Sequence, residues 1–393
     1  MKWYSWIELS VGVLMIGLVM HDIFQGVVVP RWSSRRFRIA PHLLEHSWSL
    51  WRIIANKKEH GDAREDFLGT YAPLALMISL ISWVILLMGG YAVCFWALRE
   101  QTHPHLKSFG EAFYMAGTTL LTIGYGDYSS DGALARVLSL AAGASGLATF
   151  ALVISFLFTL YGAVEARETR VLMLDARAGS PPSGIALLQA YAELDLISTL
   201  PSFFEEWEEW SARVLQSHIA YPMLSFFRSS HDRESWIASL GAVLDAATLL
   251  LSTVKSGPNC GEQPLGAAKL MVRLGTHTLI DLGHYFGFRF EDANRDHPHP
   301  GVEREEWEQA RRKLEKAGFV LRDADAAWPD FVRYRSPYAP YLNELAKYFA
   351  APPTQWIGDR SSISLYHRSP ERTSRSSKKT RSQAREAKKT IEA

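Results

Sequence analysis

The sequence predicts an all-α membrane protein: a two-helix unit with a loop between its helices, one further amino-terminal span, and a mostly helical carboxy-terminal domain. Three observations carry this expectation. No residue is charged from Phe67 to Leu98 or from Val137 to Val164, and each run exceeds the roughly 20 apolar residues that cross a ~30 Å hydrocarbon core. Between them lies Ala112 to Leu121, an apolar run too short to span. Beyond residue 184 the pattern reads as a series of helices separated by turn-rich stretches.

The whole-chain averages conceal this division. The 393 residues are 48% hydrophobic with a net charge of +1, so charge is informative only segment by segment. The two cysteines, Cys94 and Cys260, fall in an apolar run and in the polar part. They form neither a disulfide framework nor a zinc spacing.

Residues 1–30 are expected to form the amino-terminal transmembrane helix. Trp6 to Pro30 is apolar except for Glu8, His21 and Asp22, and Trp3, Tyr4 and Trp6 suit an interfacial belt. A cleaved signal peptide would carry a basic leading region and a small-residue cleavage site, and the sequence has neither. Residues 31–66 form a basic linker. Ile39, Leu43, Leu44, Trp48, Trp51 and Ile54 alternate there with polar residues, as in a helix lying on the inner leaflet or a soluble linker helix. Its basic residues, among them Arg31, Arg35, Arg36, Arg38, Arg52, Lys57, Lys58 and Arg64, outweigh Arg99 and Lys107 in the loops between the two long spans. The positive-inside rule then puts 31–66 and the carboxy-terminal region in the cytoplasm and the amino terminus outside. The expectation is a multi-pass protein of the cell membrane.

Residues 67–164 are read as outer helix 67–98, short helix 110–121, loop 122–127 and inner helix 132–163. At ~1.5 Å per residue the inner helix is on the order of 45 Å long and projects past the bilayer. The loop Thr122-Ile123-Gly124-Tyr125-Gly126-Asp127 runs at membrane depth, where irregular backbone is tolerated only if buried in protein or lining a water-filled path. A cation entering a narrow path must exchange its water shell for other oxygens. Successive carbonyls supply them if all face one axis, and Gly124 and Gly126 permit the positive φ this requires. Thr122 adds a hydroxyl, Tyr125 can brace the strand from behind, and Asp127 can tie down the outer mouth. The short helix would aim its negative carboxy-terminal end at the ion.

Thr119-x-x-Thr122-x-Gly124-Tyr125-Gly126-Asp127, framed by two spans, resembles the pore domain of potassium channels. The resemblance implies a two-helix plus pore-loop potassium channel pore. Thr122, Ile123, Gly124, Tyr125 and Gly126 would form its ion-binding filter, supported by Thr119 and Asp127. Gly146, with Gly143 nearby, falls where that family often has a gating hinge; close helix packing is the other reading of both. The chain carries one such motif and four loops complete a filter, so a homotetramer is expected. The function implied is passive potassium conduction, with K+ as transported ion, no cofactor and no enzymatic activity. One departure stands out: after Phe113 and Tyr114 the short helix has Met115-Ala116-Gly117, where family members often have bulky aromatics. The brace behind Tyr125 is then looser, and a nonselective cation channel is the alternative this suggests.

No helix carries Arg or Lys at every third position, as a voltage sensor would. No Gly-x-Gly-x-x-Gly follows a strand, and no run of alternating strands occurs. Residues 178–184 read as a linker and 184–350 as a helical cytoplasmic domain. Its helices are expected near 233–255, 264–286, 303–317 and 338–349, with a capping box at Ser202 to Glu205 and a Glu308–Arg312 pair. His277, Asp281 and His284 share a helical face and have the spacing of a divalent metal site, which His218 and His231 could join. That face suggests a second alternative, a membrane-anchored metal-dependent enzyme or sensor. Glu205, Glu206, Glu208 and Glu209 read as a solvated acidic face. Residues 351–393 read as a basic disordered tail suited to anionic lipid headgroups; nucleic acid is not an expected partner.

Overall fold

The computed structural model describes residues 3–28, 39–55, 57, 62–229, 234–255, 262–290 and 299–357. The chain divides into two compact units, residues 1–169 with 213–232, and 170–212 with 233–393.

Unit one begins with α1 (Trp3–Ile23), which runs on through a π-helical turn at Phe24–Val28. α2 (Ile39–Ala55) and α3 (Asp62–Gly69) lead into the outer helix α4 (Tyr71–Ala97). α1 packs along α4 through small residues: a Cβ on Gly12 would lie 2.4 Å from Cys94 Sγ and 2.9 Å from the Gly90 carbonyl oxygen. Such close approach is the usual means of helix association in lipid. The two acidic residues of α1 are both partnered. Glu8 meets Arg99 at 3.3 Å, and the buried Asp22 accepts a 2.9 Å bond from Trp83 Nε1. Pairing of this kind lets charged groups persist in an apolar segment. By length and composition, Trp3–Val27, Ala63–Ala97 and Ala133–Ala178 can each cross a membrane.

The amphipathic expectation for 31–66 needs correction. In α2, Trp48 is buried edge-on to Tyr71 and Phe226, at 4.8 and 5.3 Å, and Trp51 stacks on Phe67 at 4.5 Å. Among the described side chains of α2, Leu50, Ile53 and Ile54 are exposed apolar residues, while those of Ile39, Leu43 and Leu44 lie outside the described ones. The two tryptophans therefore face protein, whereas Leu50, Ile53 and Ile54 are exposed.

The short helix α5 (Phe109–Leu120) lies where the sequence placed it. The inner helix does not stop at 163: α6 is continuous over Ala133–Ala178. Residues 164–178 are mostly strong helix formers. Termination waits for Gly179, at φ +77° and followed by Pro181-Pro182.

Unit two contains α7 (Gly184–Glu193), most of α8 (Leu200–Ala220), α9 (Trp236–Thr253), α10 (Glu262–Tyr285), α11 (Arg304–Lys316), α12 (Ala324–Arg335) and α13 (Ala339–Tyr348). α9 is its core, packed by α7, α10, α12 and α13. It is the fourth helix long and apolar enough to cross a membrane, yet almost all of it is buried by its own neighbours. A polar stripe on it is fully engaged. Asp245 accepts bonds from Arg335 Nε and the Tyr338 hydroxyl, both at 2.8 Å, and Thr253 accepts one from Trp307 Nε1 at 3.2 Å.

Three local expectations fail here. α8 begins at Leu200, so Ser202 lies inside the helix and is no cap. Glu308 pairs with Arg304 at 3.3 Å instead of Arg312, because Arg304 also reaches Asp325 and is held beside it. The tail does not begin at 351. Trp356 and Ile357 are buried, and the Trp356 carbonyl accepts a 2.9 Å bond from Arg335 Nη2. The remainder of that tail, 358–393, lies outside the described residues.

Candidate ion-conduction site

The loop at 122–127 stands on the end of α5. Ser108 caps that helix, its hydroxyl accepting from the Glu111 amide, while the Glu111 carboxylate accepts from the Lys107 amide at 2.7 Å. At the other end the helix carbonyls are taken by the loop itself. Thr118 accepts from the amides of Ile123 and Gly124 at 2.8 and 3.2 Å, and Thr119 from the amide of Thr122 at 3.1 Å. The chain thus folds back on the helix end, with its amides turned toward α5.

The backbone then alternates. Thr122, Gly124 and Gly126 have φ of +55°, +62° and +82°, while Ile123 and Tyr125 stay on the negative side. In an ordinary strand, equal dihedrals send successive carbonyls to opposite sides. Alternating the sign of φ at each residue undoes that alternation, so carbonyls can share one side. The glycines adopt this conformation freely. Thr122 does not: a β-branched residue at positive φ is a strained outlier, of the kind that concentrates at functional sites. The sequence flagged both glycines but gave no sign of the strain at Thr122.

The outer mouth is tied in three ways. Strands β1 (Thr102–His103) and β2 (Ser129–Ser130) pair antiparallel, Thr102 opposite Ser130. The Tyr114 hydroxyl faces the Asp127 carboxylate, and the Tyr128 hydroxyl faces that of Glu111. Tyr114 and Tyr128 also meet edge to face at 6.2 Å. In the sequence Tyr114 reads only as a pore-helix aromatic; the structure sets it beside Asp127. Thr119 supports the loop by its carbonyl; its hydroxyl donates back to Met115 at 2.8 Å. Tyr125 is 72% exposed in the single chain, and all of 122–127 is exposed.

The helices around the loop are close-fitted. Tyr91 of α4 donates to the Ala141 carbonyl of α6 at 3.1 Å and accepts from Ser145 at 2.9 Å. A Cβ on Gly146 would lie 1.8 Å from the Leu120 carbonyl oxygen, while one on Gly143 would lie 3.9 Å from that of Thr119. The structure therefore gives Gly146 a packing role against α5, with α6 unbroken through it.

The metal-site expectation is corrected. His277 pairs with Asp281 at 3.3 Å, but His284 turns away to the Tyr341 hydroxyl at 3.1 Å. Among the described residues no group of three His, Cys, Asp or Glu side chains is placed to hold a metal. His218 is buried elsewhere, 3.0 Å from Arg167, and His231 lies outside the described residues. Of the glutamates on α8, Glu206 pairs with Arg170.

A long apolar helix, a short helix carrying a strained loop of alternating φ, and a second long apolar helix have the arrangement of an ion-channel pore domain. Residues 74–162 match the family model described as "Ion channel". The chain is also 23% identical over 243 residues to the "Uncharacterized membrane protein YdjJ" of Bacillus subtilis (strain 168), covering 60% of this chain and 68% of that protein. That similarity is longer than the pore domain and so extends beyond it. No solved structure matches the chain significantly.

Proposed function

We propose that the protein is one subunit of a homotetrameric potassium channel of the cell membrane, with unit two in the cytoplasm. The observation that carries this reading is the alternation of φ at Thr122, Gly124 and Gly126, with the loop's amides committed to the α5 end. That alternation allows successive carbonyls to share one side of the loop. One loop supplies only part of a coordination shell, and four complete it. The exposure of Tyr125 and of the apolar α6 residues Val137, Leu140, Leu147 and Phe158 in a single chain agrees with neighbours covering them.

The test is potassium flux into liposomes holding purified protein, with sodium as comparison ion and Gly124→Asp as control. The reading predicts flux that favours potassium and is lost in the control. Equal permeation by both ions would instead support a nonselective channel. That outcome would trace to a filter braced through Tyr114 and Asp127 in place of bulky pore-helix aromatics.

A further inference from the structure

Below the pore the chain makes an unusual return. α8 ends at Ala220, and residues 213–232 pack within unit one before the chain goes back to unit two. This returning segment grips several elements of unit one. Tyr221 lies edge-on to Phe156 at 5.7 Å and Phe227 to Tyr161 at 6.0 Å, both on α6. Phe226 packs against Trp48 of α2 and Tyr71 of α4. Arg228 pairs with Glu65 of α3.

At the centre is Arg167 of α6, 2% exposed. Its guanidinium donates to the carbonyls of Leu224 and Phe227 at 2.8 and 2.7 Å and pairs with Glu168 at 2.7 Å. Its Nη1 also faces His218 Nε2 at 3.0 Å. Arginine only donates, so Nε2 of His218 must accept and the imidazole must be neutral. Its other nitrogen lies 3.1 Å from the Ser217 hydroxyl, and the ring is bonded to the Val214 backbone.

We propose that His218 to Arg228 form a proton-operated clasp on the inner helix. With His218 neutral, the clasp ties α6 at Arg167 to α2, α3 and α4; with His218 protonated, it releases α6. As a gate control the proposal rests on the channel reading above; as a structural switch it does not.

Protonation would put an N–H where Arg167 already points one, in a buried site. The charged and titratable groups around the ring do not relieve this. From α6, Arg167 faces it directly, and Glu168 is already engaged by that arginine. The 222–228 segment presents carbonyls, and its own charge, Arg228, is committed to Glu65 beside Arg64. Burial first, and then the nearby Arg167 charge, hold the His218 imidazole well below its ordinary value of 6.5. A depressed pKa fixes the sign. The clasp is at full strength above about pH 6.5, and it weakens as pH falls below that value toward the depressed one. If release binds one proton, the opening constant rises about tenfold per pH unit over that interval.

Hydrogen exchange of the full chain in lipid nanodiscs, corrected for intrinsic rates, reads the clasp without requiring conduction. Peptides covering 214–227 should lose protection as pH falls from about 7.5 to about 5, by about tenfold per unit once below about 6.5. His218→Gln, which cannot titrate, should remove that dependence. Flat protection in the wild type overturns the proposal, as does an unchanged loss in His218→Gln. If His218→Gln does not fold, the wild-type curve alone decides. In liposomes, flux should change over the same pH interval in the wild type and not in His218→Gln. Release without flux at any pH would sink the channel reading and leave the clasp standing.

Discussion

Replacing Gly146 by alanine tests the pore architecture with a single methyl group. An added Cβ would sit 1.8 Å from the Leu120 carbonyl oxygen and 2.8 Å from its carbon. Real Cβ contacts essentially never fall below 3.0 Å, so α6 and the end of α5 must part by about 1.2 Å. The opposing atoms are backbone and cannot rotate away. Overpacking of this kind costs typically about 1–3 kcal/mol. It also acts at Leu120, two residues before Thr122, where the loop's amides are pinned to the helix end. The expected result is a lower melting temperature in detergent together with reduced potassium-over-sodium flux. Gly143→Ala, with 3.9 Å of clearance, should leave both near wild type. A Gly146→Ala protein with unchanged melting and selectivity would refute the close packing of α6 on α5. If instead Gly146→Ala melts normally but gates differently, Gly146 acts as a hinge.

Two further substitutions probe separate parts of the molecule. Tyr114→Phe removes the hydroxyl that faces Asp127; flux should become less selective for potassium while the melting temperature stays near wild type, and unchanged selectivity would show that this pair does not brace the filter. Asp245→Ala leaves Arg335 fully buried without its carboxylate, which should destabilise unit two by about 3–5 kcal/mol. Thermal unfolding followed by near-ultraviolet circular dichroism would show it, and a melt unchanged from wild type would mean that the Pro300 and Trp356 carbonyls satisfy the arginine alone.

The pore domain was legible because its constraints are local. Two uncharged runs, a helix too short to span and two glycines two residues apart each follow from bilayer thickness or from backbone sterics. What escaped the sequence depends on which surfaces meet. Nothing local marks Tyr114 as the partner of Asp127, and the spacing of His277, Asp281 and His284 is the same whether the three converge or, as here, His284 turns to Tyr341. α12 was not anticipated because Pro329 lies inside it. Asp323 caps that helix and Phe331 anchors it in the core, and these outweigh the lost backbone bond.

The contrast between α6 and α9 shows what hydropathy leaves undecided. Both helices are long and apolar enough to cross a membrane. α9 carries Asp245, Thr248, Ser252 and Thr253, and the structure engages each with a hydrogen bond inside unit two. It also buries the apolar positions against neighbouring helices. Such a helix has its solvent supplied by its own chain. α6 is the reverse case, with Val137, Leu140, Leu147, Ile154 and Phe158 exposed and no buried carboxylate among its membrane-length residues. Its apolar surface must be covered by something outside the single chain. Lipid covers one side in any membrane protein. The loop at its head, residues 122–127, also exposed, is polar backbone that lipid cannot satisfy. On the proposed reading, the face of α6 nearest that loop meets protein or a water-filled path, and further copies of the same chain around a pore would supply both at once.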